Sequence, residues 1–529
     1  MTILRFFAGK SRLMICALAL FCFSSVFYLT TSHTAKDFVG PEVANDANTV
    51  LYAYYARNLI RYDAPTSKLL MVDKVGADGA PISSGIVADE LEFPQSNQRL
   101  FYFTHPPGLM YLIALAFTLL GETIAAARVP SILLSFGTAL ALSGWVTHRA
   151  GVWSGLFCLA AFALSPLFLN HAVVANFEPA TTFFMTLASI FFVEYLARPA
   201  GWKIALALVV WAMGMLVDWP AYFLAPVFFL SCVFTQRWRM GLIIGVLPVT
   251  ILAGTFGYMA FVTSDPNYPI RFATGAMAPL LDSVALPHFR SWAEILYNVQ
   301  TYAFSGFTKY GLLMAAAPVL AFFLAGNRGD VRHIIWLAFV LSATLNVFAF
   351  KQWAGEHNFW VYYLLPAVAV GASFVPELLL RLVKKTSSAW IGKVLVASTF
   401  VFIVLKADRT VNRITDLDIT APKQADLALV NSLKSAQLII SPDDGIYLGV
   451  GYLARWELDK QLTLPGTIPE DCDAKRSWLA LSETQFNRLP SDTRNVFVSA
   501  SQYRWWVAPL SSFTTVQPVK CGELVNSIL

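Results

Sequence analysis

The sequence carries little charge. Asp, Glu, Lys and Arg make up 13% of its 529 residues, and hydrophobic side chains make up 57%, whereas charged residues are about a quarter of an ordinary soluble protein. A soluble globular protein is therefore excluded. The net charge of +5 is modest, and the basic residues stand in short groups between apolar runs. That pattern sets membrane topology and does not indicate nucleic-acid binding.

Metal-binding and redox signals are also scarce. Neither HExxH nor a His/Cys cluster with metal-ligand spacing occurs, so no metal and no tightly bound cofactor is predicted. Four of the six cysteines lie in or beside apolar segments. The other two, Cys472 and Cys521, lie near the carboxyl end and could pair in an oxidising compartment.

Apolar stretches of 16 to 23 residues recur between residues 13 and 405, and a helix needs about 20 residues to cross a bilayer. Arg5, Lys10 and Arg12 place the amino terminus in the cytoplasm, because cytoplasmic flanks tend to be basic. Eleven crossings are predicted, with basic groups at alternate connections. They are residues 13–31, 125–147, 151–170, 179–197, 202–217, 219–235, 240–262, 308–326, 332–350, 358–380 and 389–406.

The first external loop is large and covers residues 32–124. Within it, Gly108 to Leu120 is apolar but only about 13 residues long, which predicts a helix lying along the membrane surface. An odd number of crossings places residues 407–529 outside the cytoplasm as a second domain, after a transmembrane domain of residues 1–406. Residues 436–440 and 495–499 are strand-like and residues 423–434 are helical in pattern.

The strongest chemical candidates lie in the first loop. Residues 46–61 have helical spacing, which places Asp46, Arg57 and Arg61 on one face. A carboxylate and two guanidinium groups suit a substrate that combines a nucleophilic hydroxyl with a phosphate. The alternative is that Asp46 caps the helix and the arginines contact lipid headgroups. His105, just before Pro106-Pro107, is placed to contact a phosphate or a sugar, although the prolines alone are explained by a helix start.

Shorter external connections carry further ionisable residues at the bilayer edge. Glu178 opens the fourth predicted helix, Asp218 lies in a tight turn, and Lys351 and His357 lie in an aromatic-rich connection. Ionisable residues near membrane depth are usually functional or paired. The predicted topology places all of them on the same side as the first loop, which indicates one external active site.

The order of these motifs resembles a known family. Four features follow one another: an acidic residue before YYARNLIRYD, the segment HPPGLMYLIALAFTLLGE, the segment AARVPSILLSFG, and an acidic residue that opens the fourth helix. In this order they are similar to the GT-C glycosyltransferases of family 39. That family includes protein O-mannosyltransferases and aminoarabinose transferases. The resemblance covers roughly residues 1–400 and is greatest over residues 40–230. It implies an α-helical polytopic membrane protein with the GT-C fold, about 11 transmembrane helices, interfacial helices in a large first loop, and a small external carboxyl-terminal α/β domain.

The resemblance also implies an activity and roles for individual residues. A sugar would pass, with inversion, from a polyprenyl-phosphate carrier to an acceptor hydroxyl on the extracytoplasmic face. Asp46 and Glu178 match the family's two acidic positions and are the predicted catalytic residues. His105 takes the place of a phosphate-contacting lysine. The chain has Asn45-Asp46 where many relatives have Asp-Glu, so Glu42 stays open as an alternative to Asp46.

The remaining predicted substrate-binding residues are Arg57, Arg61, Asp218, Lys351 and His357. The expected partners are membrane lipids, the lipid-linked sugar donor and a glycolipid, glycan or protein acceptor. The expected location is the bacterial inner membrane, with a cytoplasmic amino terminus. Two alternatives stay open: a transporter or flippase of lipid-linked sugars, which should show internal repeats that are not evident, and an O-antigen ligase-like enzyme.

Overall fold

A computed structural model describes the protein over residues 46–62, 105–263, 291–324, 329–350, 358–384 and 390–402, three isolated residues (Leu69, Ala354 and Val525), and short segments at 74–75, 81–82, 438–440, 462–463, 477–482, 486–495, 498–499 and 505–513. The chain divides into two compact units. The first comprises residues 1–32, 104–109 and 129–416, and the second comprises residues 33–103, 110–128 and 417–529.

Helices dominate the described residues. They are α1 (Asp46–Arg61), α2 (Gly108–Leu120), α3 (Ile124–Ala150), α4 (Val152–Ala163), α5 (Pro166–His171), α6 (Phe177–Ala197), α7 (Gly201–Met215), α8 (Ala225–Phe234), α9 (Trp238–Thr263), α10 (Trp292–Ala315), α11 (Ala317–Leu324), α12 (Arg332–Ala349), α13 (Leu365–Ala372), α14 (Val375–Lys384), α15 (Trp390–Phe402) and α16 (Ser491–Arg494). Short 3-10 helices cover Trp219–Leu224, Asn358–Leu364 and Leu510–Phe513.

Five segments in the described part of the chain are long and apolar enough to cross a bilayer, or six if the bent pair Trp292–Phe307 and Lys309–Phe323 forms one span. The five are Ile124–Ala150, Phe177–Ala197, Trp238–Phe261, Arg332–Ala349 and Trp360–Val383. Shorter apolar helices include α2, α4, α7 and α15. The predicted first crossing, residues 13–31, lies outside the described residues, and the total of eleven stays a prediction.

Two predicted crossings differ from the structure for clear physical reasons. Residues 151–170 form two helices, because Ser165 caps α5 by accepting from the Phe168 amide at 3.1 Å and Pro166 occupies its first position. Helix α10 begins at Trp292, well before the predicted start at residue 308. A capping box between Ser291 and Glu294 sets that start, and polar residues in its first turns hide it from a hydropathy scan.

The first unit packs its helices closely. Gly214 on α7 allows close approach to α6, since a Cβ there would lie 3.2 Å from the Phe184 Cβ. Phe192 on α6 stacks on Phe228 of α8 with ring centroids 4.1 Å apart. Val249 on α9 is 65% exposed and Phe261 is 80% exposed, as expected of side chains that face lipid.

Two buried or half-buried ion clusters lie at helix ends that the charge pattern predicts to be cytoplasmic. Glu194 at the end of α6 accepts from Arg149 and from the Trp145 indole at 2.9 Å, and Lys203 lies 3.8 Å away. These contacts join the ends of α3 and α6 to the start of α7.

The second cluster surrounds Arg332, the first residue of α12, whose side chain is 2% exposed. Its guanidinium donates to Asp330 at 2.6 Å and to Glu377 on α14 at 2.5 Å. It also lies over the Phe374 ring at 3.9 Å from the centroid. Two carboxylates and an aromatic face therefore compensate the buried charge.

The second unit contains a mixed five-stranded sheet near the carboxyl end. Its strands are β3 (Leu438–Ile440), β4 (Leu462–Thr463), β5 (Ser477–Ser482), β6 (Val498–Ser499) and β7 (Trp505–Pro509), in the order β4-β3-β5-β7-β6. Strand β3 pairs parallel with β4 and β5, and β7 pairs antiparallel with β5 and β6. An antiparallel pair joins β1 (Lys74–Val75) to β2 (Pro81–Ile82).

The predicted strands at 436–440 and 495–499 contain β3 and β6, so strand structure is confirmed at both places. Leu479 and Leu481 on β5 are fully buried, which follows the period of two expected along a strand. The predicted helix at 423–434, Cys472 and Cys521 lie outside the described residues.

Candidate active site

The segment that carries His105 is held against the turn that carries Asp218. Gly108, the first residue of α2, donates its amide to the Leu216 carbonyl at 2.9 Å. A Cβ at position 108 would lie 2.5 Å from that oxygen, which is far inside van der Waals contact. Only glycine therefore permits this approach, and the approach brings His105 to Asp218.

Asp218 is buried and engages three donors. Its side chain caps the 3-10 helix Trp219–Leu224, where Oδ1 accepts from the Trp219 amide at 2.8 Å. The same oxygen lies 2.8 Å from His105 Nδ1. The Tyr363 hydroxyl donates to Oδ2. These bonds satisfy both oxygens of a carboxylate that is 4% exposed.

The backbone after Asp218 is anchored by two other helices. The Trp211 indole on α7 donates to the Ala221 carbonyl at 2.7 Å, and the Ser342 hydroxyl on α12 donates to the Pro220 carbonyl at 2.7 Å. All of these groups are buried. The turn is therefore a firm support for the Asp218 carboxylate.

The His105 ring lies against the start of α6. It stacks on Phe177 with ring centroids 4.2 Å apart and planes 18° from parallel. The Asn176 side chain caps α6 by accepting from the Phe177 amide at 3.1 Å. Glu178 follows directly, so one helix start positions both the stacking ring and the second acidic residue.

Glu178 is 4% exposed and interacts electrostatically with Asp218 and with the hydroxyl groups of Tyr362 and Tyr363. Among the described residues, its Oε2 has no hydrogen-bond partner, and neither has Asn176 Nδ2. Buried polar atoms are normally satisfied. The start of α6 therefore offers one hydrogen-bond acceptor and one hydrogen-bond donor to a ligand or to water.

The structure thus brings together three of the predicted site residues: His105, Glu178 and Asp218. Tyr363 completes the group and was not predicted. It lies 145 residues from Asp218 along the chain, in an aromatic-rich stretch that resembles an ordinary interface belt, and no local signal distinguishes it.

The other predicted site residues belong to the second unit or lie outside the described part of the chain. Asp46 is the first residue of α1, as predicted, but its side chain is outside the described part, as are Glu42, Lys351 and His357. Arg57 is buried and lies over the Tyr54 ring at 5.3 Å from the centroid. Arg61 forms an exposed ion pair with Glu122 at 3.4 Å. Within the described ranges no group of three His, Cys, Asp or Glu side chains could hold a metal ion.

The long apolar helices carry side chains that face lipid, and buried polar side chains lie at helix starts. These features define an integral membrane protein with an internal polar site. Residues 104–253, which contain His105, Glu178 and Asp218, match the family model described as dolichyl-phosphate-mannose-protein mannosyltransferase. No curated protein sequence matches the chain.

The whole fold has solved counterparts. The crystal structure of ArnT from Cupriavidus metallidurans bound to undecaprenyl phosphate matches with a TM-score of 0.59 and 12% identity, over 96% of this chain and 99% of that one. The apo structure of the same protein matches with a TM-score of 0.58, 13% identity and the same coverage. The predicted resemblance to GT-C glycosyltransferases is confirmed, and the protein has the GT-C membrane fold.

Proposed function

We propose that this protein is an integral-membrane glycosyltransferase that moves a sugar from a polyprenyl-phosphate carrier to an acceptor hydroxyl on the extracytoplasmic face. The fold and the family model support a lipid-linked glycosyltransferase. The observation that carries the proposal is the half-buried His105 beside two buried carboxylates, Asp218 and Glu178, inside the segment that matches the family model.

The chemistry of this group suits a sugar joined to a phosphate. An imidazole that donates to a phosphate oxygen stabilises the negative charge of the leaving group. Glu178 Oε2 and Asn176 Nδ2 have no hydrogen-bond partner among the described residues; the first is able to accept a hydrogen bond and the second to donate one. A sugar hydroxyl does both, so these two atoms are the proposed contacts to the sugar ring.

In the proposed reaction, the oxygen of the acceptor hydroxyl attacks the anomeric carbon of the sugar. A new carbon–oxygen bond forms while the bond from that carbon to the phosphate oxygen breaks, and the bonding electron pair leaves with the polyprenyl phosphate. The hydroxyl proton passes to a carboxylate and then to water. Attack opposite the phosphate inverts the anomeric centre.

The family resemblance assigns the proton-accepting carboxylate to Asp46, with Glu42 as the alternative, and places a catalytic role on Glu178. Arg57, Arg61, Lys351 and His357 remain proposed substrate contacts. The solved ArnT bound to undecaprenyl phosphate supports a polyprenyl monophosphate as the carrier. The bacterial inner membrane is the proposed location, with a glycolipid, an envelope glycan or a protein as acceptor.

The experiment that tests this function uses the purified full-length chain in lipid nanodiscs with a radiolabelled polyprenyl-phosphate sugar. We expect release of polyprenyl phosphate and, with envelope extract as acceptor, transfer of label to a new product. Label that crosses a vesicle membrane still joined to its carrier, without release of polyprenyl phosphate, would support the transporter alternative instead.

The acceptor is found by a separate comparison. Mass spectrometry of envelope glycolipids and glycoproteins, from cells with and without the protein, should reveal a species that carries one extra sugar only when the protein is present.

A further inference from the structure

We propose that Asp218 is a positioning residue for His105, and that Asp218 and Tyr363 together hold the imidazole so that its Nε2 meets the phosphate of the lipid carrier. The inference rests on the proposed function, because it assigns a carrier phosphate to the site. It changes the expected role of Asp218, which the sequence predicts to contact substrate directly.

The contacts of Asp218 point toward His105. Three donors already occupy its two oxygens: the Trp219 amide, the His105 ring and the Tyr363 hydroxyl. A buried carboxylate would also repel a phosphate, since like charges interact strongly where water is excluded. Asp218 therefore suits the stabilisation of a cationic neighbour better than direct contact with the carrier.

The same contacts settle which ring nitrogen faces the substrate. Asp218 accepts hydrogen bonds at both oxygens, so His105 Nδ1 is the donor in the 2.8 Å contact. Substrate contact is then made through Nε2, which donates to a phosphate oxygen when the ring is an imidazolium. The carboxylate compensates that positive charge on the opposite edge of the ring.

Several contacts restrict rotation of the imidazole. Phe177 covers one ring face at 4.2 Å, and the Gly108 amide ties the following backbone to Leu216 at 2.9 Å. Tyr363 holds the far oxygen of Asp218. An imidazole needs this orientation because its two donors point in fixed directions.

The test measures binding of undecaprenyl monophosphate to the purified full-length protein and its variants. His105→Gln should weaken binding about tenfold, the scale of one charge-assisted hydrogen bond. Asp218→Asn keeps the acceptor for the Trp219 amide and removes the negative charge, and it should weaken binding by several-fold. Because Asp218 acts through His105, the double variant should bind within about twofold of His105→Gln alone.

The proposal is overturned if the fold-loss of affinity in the double variant equals the product of the fold-losses in the two single variants. Asp218 would then act on the ligand or the fold independently of His105. Unchanged binding in Asp218→Asn or in His105→Gln would overturn it as well. If the wild-type protein releases no polyprenyl phosphate in the turnover assay, but the binding losses of Asp218→Asn and His105→Gln still fail to multiply, the result counts against the proposed function alone.

Tyr363→Phe provides a second route if Asp218→Asn does not fold. It removes only the hydroxyl that holds Asp218, so its loss of affinity should disappear when His105 is already Gln. The matched control is Tyr362→Phe on the same 3-10 helix, whose hydroxyl lies 3.4 Å from Ser135. The fold-losses of affinity caused by Tyr362→Phe and by His105→Gln should multiply in their double variant. If the fold-losses caused by Tyr363→Phe and by His105→Gln multiply as well, the proposal is contradicted.

Discussion

Replacing Gly108 by alanine should disable the site without touching any proposed substrate contact. The added Cβ would lie 2.5 Å from the Leu216 carbonyl oxygen and 2.9 Å from its carbon. Both are backbone atoms, so no flexible side chain can move aside. Relief requires the two segments to separate until the contact reaches about 3.4 Å, an ordinary van der Waals distance.

The separation has two consequences of different size. Loss of the 2.9 Å bond from the Gly108 amide to Leu216 costs about 1 kcal/mol, and the crowding itself costs roughly 1–3 kcal/mol. The larger effect is on turnover, because His105 moves with Gly108 away from Asp218. A displacement of about 1 Å at a reacting centre costs on the order of 100-fold in rate.

The assay is release of polyprenyl phosphate, measured beside the thermal midpoint in detergent. Gly201→Ala is the matched control, since a Cβ at position 201 meets nothing within 4 Å and alanine is a better helix former by about 1 kcal/mol. We expect wild-type turnover for Gly201→Ala and a large loss for Gly108→Ala. Wild-type turnover in Gly108→Ala would refute the assigned docking of the His105 segment.

Three further predictions concern single carboxylates and the Arg332 cluster. Asp46→Asn should abolish transfer while undecaprenyl phosphate still binds, and full activity would reassign the base. Glu178→Gln should lower transfer by about 10-fold to 100-fold by weakening the proposed contact to the sugar, and unchanged kinetics would contradict that contact. Arg332→Met leaves Asp330 and Glu377 facing each other without their cation, which should cost roughly 3 kcal/mol and lower the thermal midpoint. An unchanged midpoint would show that the cluster is dispensable.

Much of the helical framework could be predicted because its signals are local. Helix α1 at 46–61 and helix α2 at 108–120 match the predicted bounds, and α12 ends one residue before the predicted 350. In each, periodicity or an apolar run meets charged, proline or glycine residues that mark an end. Asp218 and Glu178 stood out for a related reason, since each is an acidic residue in an apolar stretch that also caps or opens a helix.

Of the remaining features, one is local and two depend on contacts between distant segments. The break at Ser165-Pro166 is local: an apolar scan runs through it because apolar residues continue on both sides, although Ser165 caps the second helix and Pro166 begins it. The bond from Tyr363 to Asp218 forms only once the 3-10 helix Asn358–Leu364 packs near the turn. Gly108 is also unremarkable in sequence, and its need for close approach appears only beside Leu216. Tertiary packing, rather than local propensity, decides the Tyr363 and Gly108 features.

The most direct test of the account is single-turnover cleavage of a labelled polyprenyl-phosphate sugar by the purified wild-type chain, compared with His105→Gln at the same protein concentration. Because His105 is proposed to stabilise the leaving phosphate, the wild-type protein should release polyprenyl phosphate in a reaction that depends on added acceptor, and His105→Gln should release it at least about tenfold more slowly. Equal rates for the two proteins, or donor that remains intact with every acceptor supplied, would contradict the account.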